Sequence, residues 1–138
     1  MTQGASARSI QGSDDSESDP AMTCTAEQIL TAHVLAVTNG DLPQILQDYS
    51  DDAVFLTPQG ALYGREGVES FYVRALASLP GLELQATSVT SGGNALLVYW
   101  TGTSPAGSIA DGVDTFVFAD ESIKLQTSSF TVQPSSPA

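Results

Sequence analysis

Asp114 sits in the run Ile109-Ala-Asp-Gly-Val-Asp-Thr-Phe-Val-Phe-Ala119, whose apolar, β-branched and aromatic residues predict a strand with side chains alternating between two faces. Gly112, Asp114, Phe116 and Phe118 then share one face. Turned inward beside two phenylalanines, a carboxyl must be paired, protonated or functional, and the chemistry it offers is general acid/base work. A structural carboxylate that accepts hydrogen bonds is the plainer alternative. His33, the single histidine, falls at helical spacing with Ile29, Leu30, Val34 and Val37. Alone it reads as a satisfied core residue; beside a carboxylate it becomes a group that moves a proton near neutral pH. Ser128, on the face of Phe130, is a hydrogen-bond donor for a ligand. No serine stands in an activated turn around His33, so a nucleophilic triad is not supported.

Capping and periodicity define the segments that carry these residues. Thr25-Ala-Glu-Gln opens a helix that stops at Asn39-Gly40, and Asp41 caps a second short helix with Pro43 in its first turn. Ala53 to Thr57 reads as a short strand ended by Pro58-Gln-Gly60. Gly64-Arg-Glu-Gly67 leads into a third helix striped by Val68, Phe71, Tyr72, Ala75, Leu76 and Leu79, before Pro80-Gly81 breaks it. Four strands follow, Leu82–Thr90, Ala95–Thr103, Ile109–Ala119 and Ile123–Val132. This order predicts an α+β fold, three N-terminal helices against one face of a curved, mostly antiparallel sheet. Alternation lets only one of Tyr99 and Trp100 face inward, and turns Asp111 toward the rim or solvent. Tyr63, Tyr72 and Trp100 are candidates for polar tips in a cavity wall; Phe55, Phe116 and Phe130 read as apolar lining or plain core.

With 138 residues and 41% hydrophobic content, the chain is long enough for one domain with an unstapled core. Residues 1–22, rich in Ser, Gly, Gln and Asp, predict a disordered tail, residues 23–133 the domain and residues 134–138 a short flexible tail. Cys24 has no second thiol to pair with and no Cys/His cluster offers zinc spacing, so no metal or cofactor is expected. Four basic residues against sixteen acidic ones give a net charge of −12, which argues against nucleic acid or an anionic membrane as partner. No apolar stretch approaches membrane-spanning length and the N-terminus lacks the apolar core of a secretory signal, so a cytoplasmic address is expected.

Four runs, taken in their order and spacing, resemble the nuclear transport factor 2-like superfamily, and within it the SnoaL-like cyclase and ketosteroid isomerase branches. They are His33-Val-Leu-Ala-Val-Thr-Asn-Gly-Asp-Leu42, Tyr49-Ser-Asp-Asp-Ala-Val-Phe-Leu-Thr-Pro58, Gly64-Arg-Glu-Gly-Val-Glu-Ser-Phe-Tyr72 and Val113-Asp-Thr-Phe-Val-Phe118 followed by Ile123. The resemblance implies a cone-shaped sheet wrapped around the third helix, a cystatin-like α+β roll, with a ligand cavity inside it. It implies that His33 and Asp114 point into that cavity, where one can bond the other. The acid completing the isomerases' oxyanion hole falls on Asp114, and their first-helix phenolic donor falls on His33. Their catalytic base, just before the proline that ends the first strand, is replaced by Thr57, which cannot take a carbon-bound proton at neutral pH. Thr57 is left at most to position a ligand, beside Phe71 of the third helix. The implied ligand is a small apolar, carbonyl-bearing molecule. The implied activity is isomerase- or cyclase-like acid/base chemistry by His33 and Asp114, or, given the missing base, a non-catalytic binding or dimerisation module. A homodimer through the outer sheet face of Val113, Thr115 and Val117 also follows from it. Arg65 and Glu66 of the helix entry are expected to be structural, the first packing on the preceding loop, the second near the helix N-terminus.

Overall fold

A computed structural model describes residues 25–135. The tail read over residues 1–22 therefore lies outside the described residues. Helix α1 (Ala26–Thr38) starts at a capping box in which Thr25 accepts from the Gln28 amide and Gln28 accepts from the Thr25 amide. It ends where Gly40 takes a left-handed φ of 66° that a side chain would strain. Asp41 caps α2 (Leu42–Gln47), which hands the chain directly to β1 (Tyr49–Thr57). Next come β2 (Gly60–Tyr63), α3 (Gly64–Ser78), β3 (Glu83–Gly92), β4 (Ala95–Ser104), β5 (Gly107–Ala119), β6 (Ser122–Ser129) and β7 (Val132–Pro134).

The seven strands form one open sheet in the order β2-β1-β6-β5-β4-β3, with β7 on β5. All pairings are antiparallel except β1 with β6. Register shifts in β1, β3, β5 and at the β5–β6 end bend these strands, because each extra residue adds twist, and the curved inner face receives the helices. Ile45, Tyr49, Phe55, Val68, Leu96 and Ile123 are fully enclosed between the layers. Arg65 packs as expected: its Nε donates to the Leu46 and Tyr49 carbonyls and its guanidinium meets Asp51. No helix among the described residues is long and apolar enough to cross a membrane.

Three details depart from the sequence reading. Strand β2 was not expected; its Gly-Ala opening carries little strand signal, yet Thr57 closes the preceding turn by accepting from the Gln59 amide and donating to the Gly60 carbonyl. The long final strand divides. Asp111, at the irregularity of β5, accepts from the Thr131 amide at 2.8 Å, and there β6 gives way to β7. Pro134, read as the start of a tail, pairs with Gly107, next to Gln133 on Ser108.

The β5–β6 turn holds Asp120 and Glu121 at φ 52° and 64°. Two left-handed residues in a tight hairpin favour Asn-Gly, and a side chain in that region costs about 1 kcal/mol. Glu121→Gly is expected to stabilise the protein by about 1 kcal/mol, seen as a higher urea midpoint at unchanged slope.

Candidate functional site

Between α1, α3 and the inner sheet face lies a partly open cavity of about 80 Å³ with a mainly apolar wall. Each water occupies roughly 10–15 Å³ of such space, so the room is that of roughly five to eight waters. That space is on the scale of a one- or two-ring molecule. Of the residues singled out in the sequence, His33, Phe71, Tyr72, Trp100, Asp114, Phe116, Ser128 and Phe130 line it.

Three do not. Phe55 is wholly buried beneath Phe71, with ring centroids 4.6 Å apart, and acts as core. Thr57 is committed to the β1–β2 turn. Tyr63 is 70% exposed, because pairing with Val54 places it on the convex side of the sheet. Alternation assigned Trp100 and Tyr99 to opposite faces, and the indole is indeed inside while Tyr99 is exposed.

Asp114 is 7% exposed and accepts from three donors. Trp100 Nε1 at 2.9 Å and Ser128 Oγ at 2.8 Å donate to Oδ1; Gln126 Nε2 donates to Oδ2 at 2.7 Å. Strand pairing builds this cluster, since Ser128 lies directly across from Asp114 and Gln126 across from Phe116. Burial pushes the Asp114 carboxyl above its ordinary value; the three hydrogen bonds and the charge of His33 pull the other way without cancelling it. A carboxyl raised in the folded state adds stability that is fully present below its ordinary value of 3.8 and is lost as pH rises through the raised value. The stability of the wild type minus that of Asp114→Asn is thus expected to fall as pH climbs from 3.8 toward neutrality, measured by urea unfolding of both across that range.

His33 does not bond Asp114 directly, contrary to the sequence expectation. Its Nδ1 meets Asp48 Oδ2 at 3.0 Å and its Nε2 meets the Tyr72 hydroxyl at 3.1 Å, so both ring nitrogens are taken. The physical reason is the α1–α2 turn, which brings the C-cap residue Asp48 against the buried face of α1. The Tyr72 hydroxyl lies 3.1 Å from that of Tyr49, and Tyr49 donates to Gln126 Oε1. A continuous chain therefore runs Asp48, His33, Tyr72, Tyr49, Gln126, Asp114. Burial, first of all, pushes both phenols well above their ordinary value, so they keep their hydrogens.

Asp48, Tyr49 and Gln126 were not assigned to the site from sequence, whereas Tyr72 was a candidate polar tip and lines the cavity. Gln126 was within reach, because alternation from Ser128 puts it on the same face. Asp48 gave no signal, since its role depends on how two helices meet.

Trp100 is seated on Gly112, its partner across β4 and β5. A Cβ at that position would lie 2.2 Å from the indole. Only glycine lets the ring lie against the β5 backbone and reach Asp114.

The SnoaL-like domain model matches residues 30–126. No curated protein matches the chain. Among solved structures, a SnoaL-like protein of unknown function from Burkholderia thailandensis is 21% identical with a TM-score of 0.67, covering 81% of this chain and 99% of its own. A putative ketosteroid isomerase from Kribbella flavida is 17% identical with a TM-score of 0.65, covering 86% and 87%. TerC, co-crystallised with polyporic acid, is 18% identical with a TM-score of 0.65, covering 76% and 90%. These likenesses establish a nuclear transport factor 2-like architecture.

Proposed function

The chain belongs to the SnoaL-like domain family, and on that premise we propose that its cavity receives a one- or two-ring, largely apolar carbonyl compound and enolises it. The observation that carries this reading is the state of the inner carboxylate. Oδ1 has both lone pairs engaged by Trp100 and Ser128, whereas Oδ2 has a single donor among the described residues, leaving one lone pair to take a proton. Burial makes it a stronger base than an exposed aspartate. The C–H bond next to the carbonyl breaks, its proton goes to Oδ2, and the electron pair moves onto the carbonyl oxygen. That oxygen takes the hydrogen bond of the Tyr72 hydroxyl, which turns from Tyr49 to the ligand while His33 donates to Tyr72 and Asp48 holds the ring. Return of the proton to a different carbon completes an isomerisation. TerC, of the same architecture, was crystallised with the small molecule polyporic acid, which supports a small-molecule ligand here.

2-Tetralone, a two-ring enolisable ketone, tests the reading. It is expected to quench the emission of the single tryptophan, Trp100, and to gain deuterium next to its carbonyl faster with protein than without, followed by NMR in heavy water. Quenching without exchange would favour the rival reading, a binding module without turnover. The commitment of Thr57 to a turn, where the isomerases carry a base, supports that rival.

We also propose a homodimer through the convex sheet face. Leu97 and Tyr99 are exposed there beside Val113, Thr115 and Val117, and this strip carries no charge although the chain as a whole is at −12. A clean monomer by light scattering would count against it.

A further inference from the structure

We propose that Gln126 is a two-position coupler whose amide ties the hydrogen carried by His33 to the charge of Asp114. The hydrogens available along the chain from Asp48 to Asp114 fix its directions without any ligand or turnover. Each of Tyr49 and Tyr72 has one hydrogen to give. As placed, Gln126 Nε2 donates to Asp114, so Oε1 must accept, and Tyr49 donates to it. The Tyr49–Tyr72 contact at 3.1 Å is then a bond only when Tyr72 donates to Tyr49. With the Tyr72 hydrogen spent, its contact with His33 Nε2 is a bond only when the imidazole donates. Nδ1 must donate as well, because Asp48 accepts. Every contact is satisfied when His33 carries hydrogen on both ring nitrogens and Asp114 is a carboxylate.

With Asp48 an acceptor, there is one other arrangement in which every contact is filled and every hydroxyl hydrogen is accepted. The amide is reversed: Asp114 carries the hydrogen and donates to Oε1, Nε2 donates to Tyr49, Tyr49 to Tyr72, and Tyr72 to a His33 that keeps hydrogen on Nδ1 alone. The two arrangements hold the same number of hydrogens. One proton leaves Nε2 of His33 and one arrives at Oδ2 of Asp114, and because an amide does not pass protons along, the exchange runs through water or a hydroxyl in the cavity. Gln126 is 1% exposed, and its amide keeps the same partners in either orientation. The titratable groups facing His33 from the packed elements are Asp48 after α2, Tyr49 of β1, Tyr72 of α3 and Asp114 of β5. A mixture of directions leaves either a buried contact without a hydrogen or a buried phenol hydrogen without an acceptor, so the chain switches as a unit.

Asp114→Asn forces the second arrangement. Trp100 and Ser128 both donate to the Oδ1 position, so the asparagine oxygen belongs there and its nitrogen faces Gln126 as a donor. The experiment uses 15N-histidine-labelled protein at neutral pH, where the single His33 gives the only ring signals. In the wild type both ring nitrogens are expected to show bonded hydrogen; in Asp114→Asn the Nε2 signal is expected to move to the unprotonated position. Cutting the chain at Gln126→Met, or independently at Tyr49→Phe, is expected to abolish most of that response. A His33 spectrum unchanged by Asp114→Asn would overturn the proposal. So would an undiminished response in whichever severed variant folds, since that would make the coupling a through-space charge effect. The second cut keeps the test decisive if one variant is lost to misfolding.

Discussion

Asparagine at position 114 is expected to slow deuterium uptake by 2-tetralone by about 10²- to 10⁴-fold, the range typical of losing a positioned general base. The substitution keeps size and shape, and its oxygen still accepts from Trp100 and Ser128, so far-UV circular dichroism should match the wild type. What disappears is the Oδ2 lone pair that takes the proton. Binding, read from Trp100 emission, should change far less than the rate, because the wall of the cavity is mainly apolar. An exchange rate equal to that of the wild type would remove Asp114 from the chemistry and leave the cavity as a binding site.

Alanine at Gly112 is expected to evict the indole. Its Cβ would sit 2.2 to 2.7 Å from three indole carbons, well inside contact distance, and the flat seat on β5 leaves the ring nowhere to slide without losing Asp114. Overpacking of this kind costs about 1–3 kcal/mol. The loss should appear as a lower urea midpoint, together with a red shift of the emission as the ring meets water. Because one of three donors to the carboxylate leaves with it, the Asp114 carboxyl should rise further above its ordinary value. Unchanged emission and midpoint would show that the β5 backbone yields instead of the ring.

How much of this was readable from the chain depended on range. Local signals served well: the Thr25 and Asp41 caps, the Asn39-Gly40 stop, and the alternation that put Asp114 and Phe116 inside and Tyr99 and Trp100 on opposite faces all hold in the structure. The burial of His33 was likewise visible from its helical stripe. Its partners were not, because Asp48, Tyr72 and Gln126 reach it or its chain from three separate elements, and only the packing of α1, α2, α3 and β6 sets which atoms meet. Tyr63 and Thr57 were misplaced for a related reason. The hairpin that carries them rests on a Pro-Gln turn and a weak Gly-Ala strand, and missing it hid which way each side chain faces.

The parallel pairing of β1 with β6 also sets an order of assembly. Strands β3 to β6 are sequence neighbours joined by short turns and can zip locally, but β1 has no seat next to β6 until Ile123 to Thr127 have arrived, some seventy positions along the chain from its own residues. Closing so distant a contact is slow relative to hairpin formation. Tyr49 and Gln126, adjacent links of the buried chain, therefore meet among the last events of folding, and a protein stalled before that point would own a sheet and the donors around Asp114 without the chain that ties them to His33.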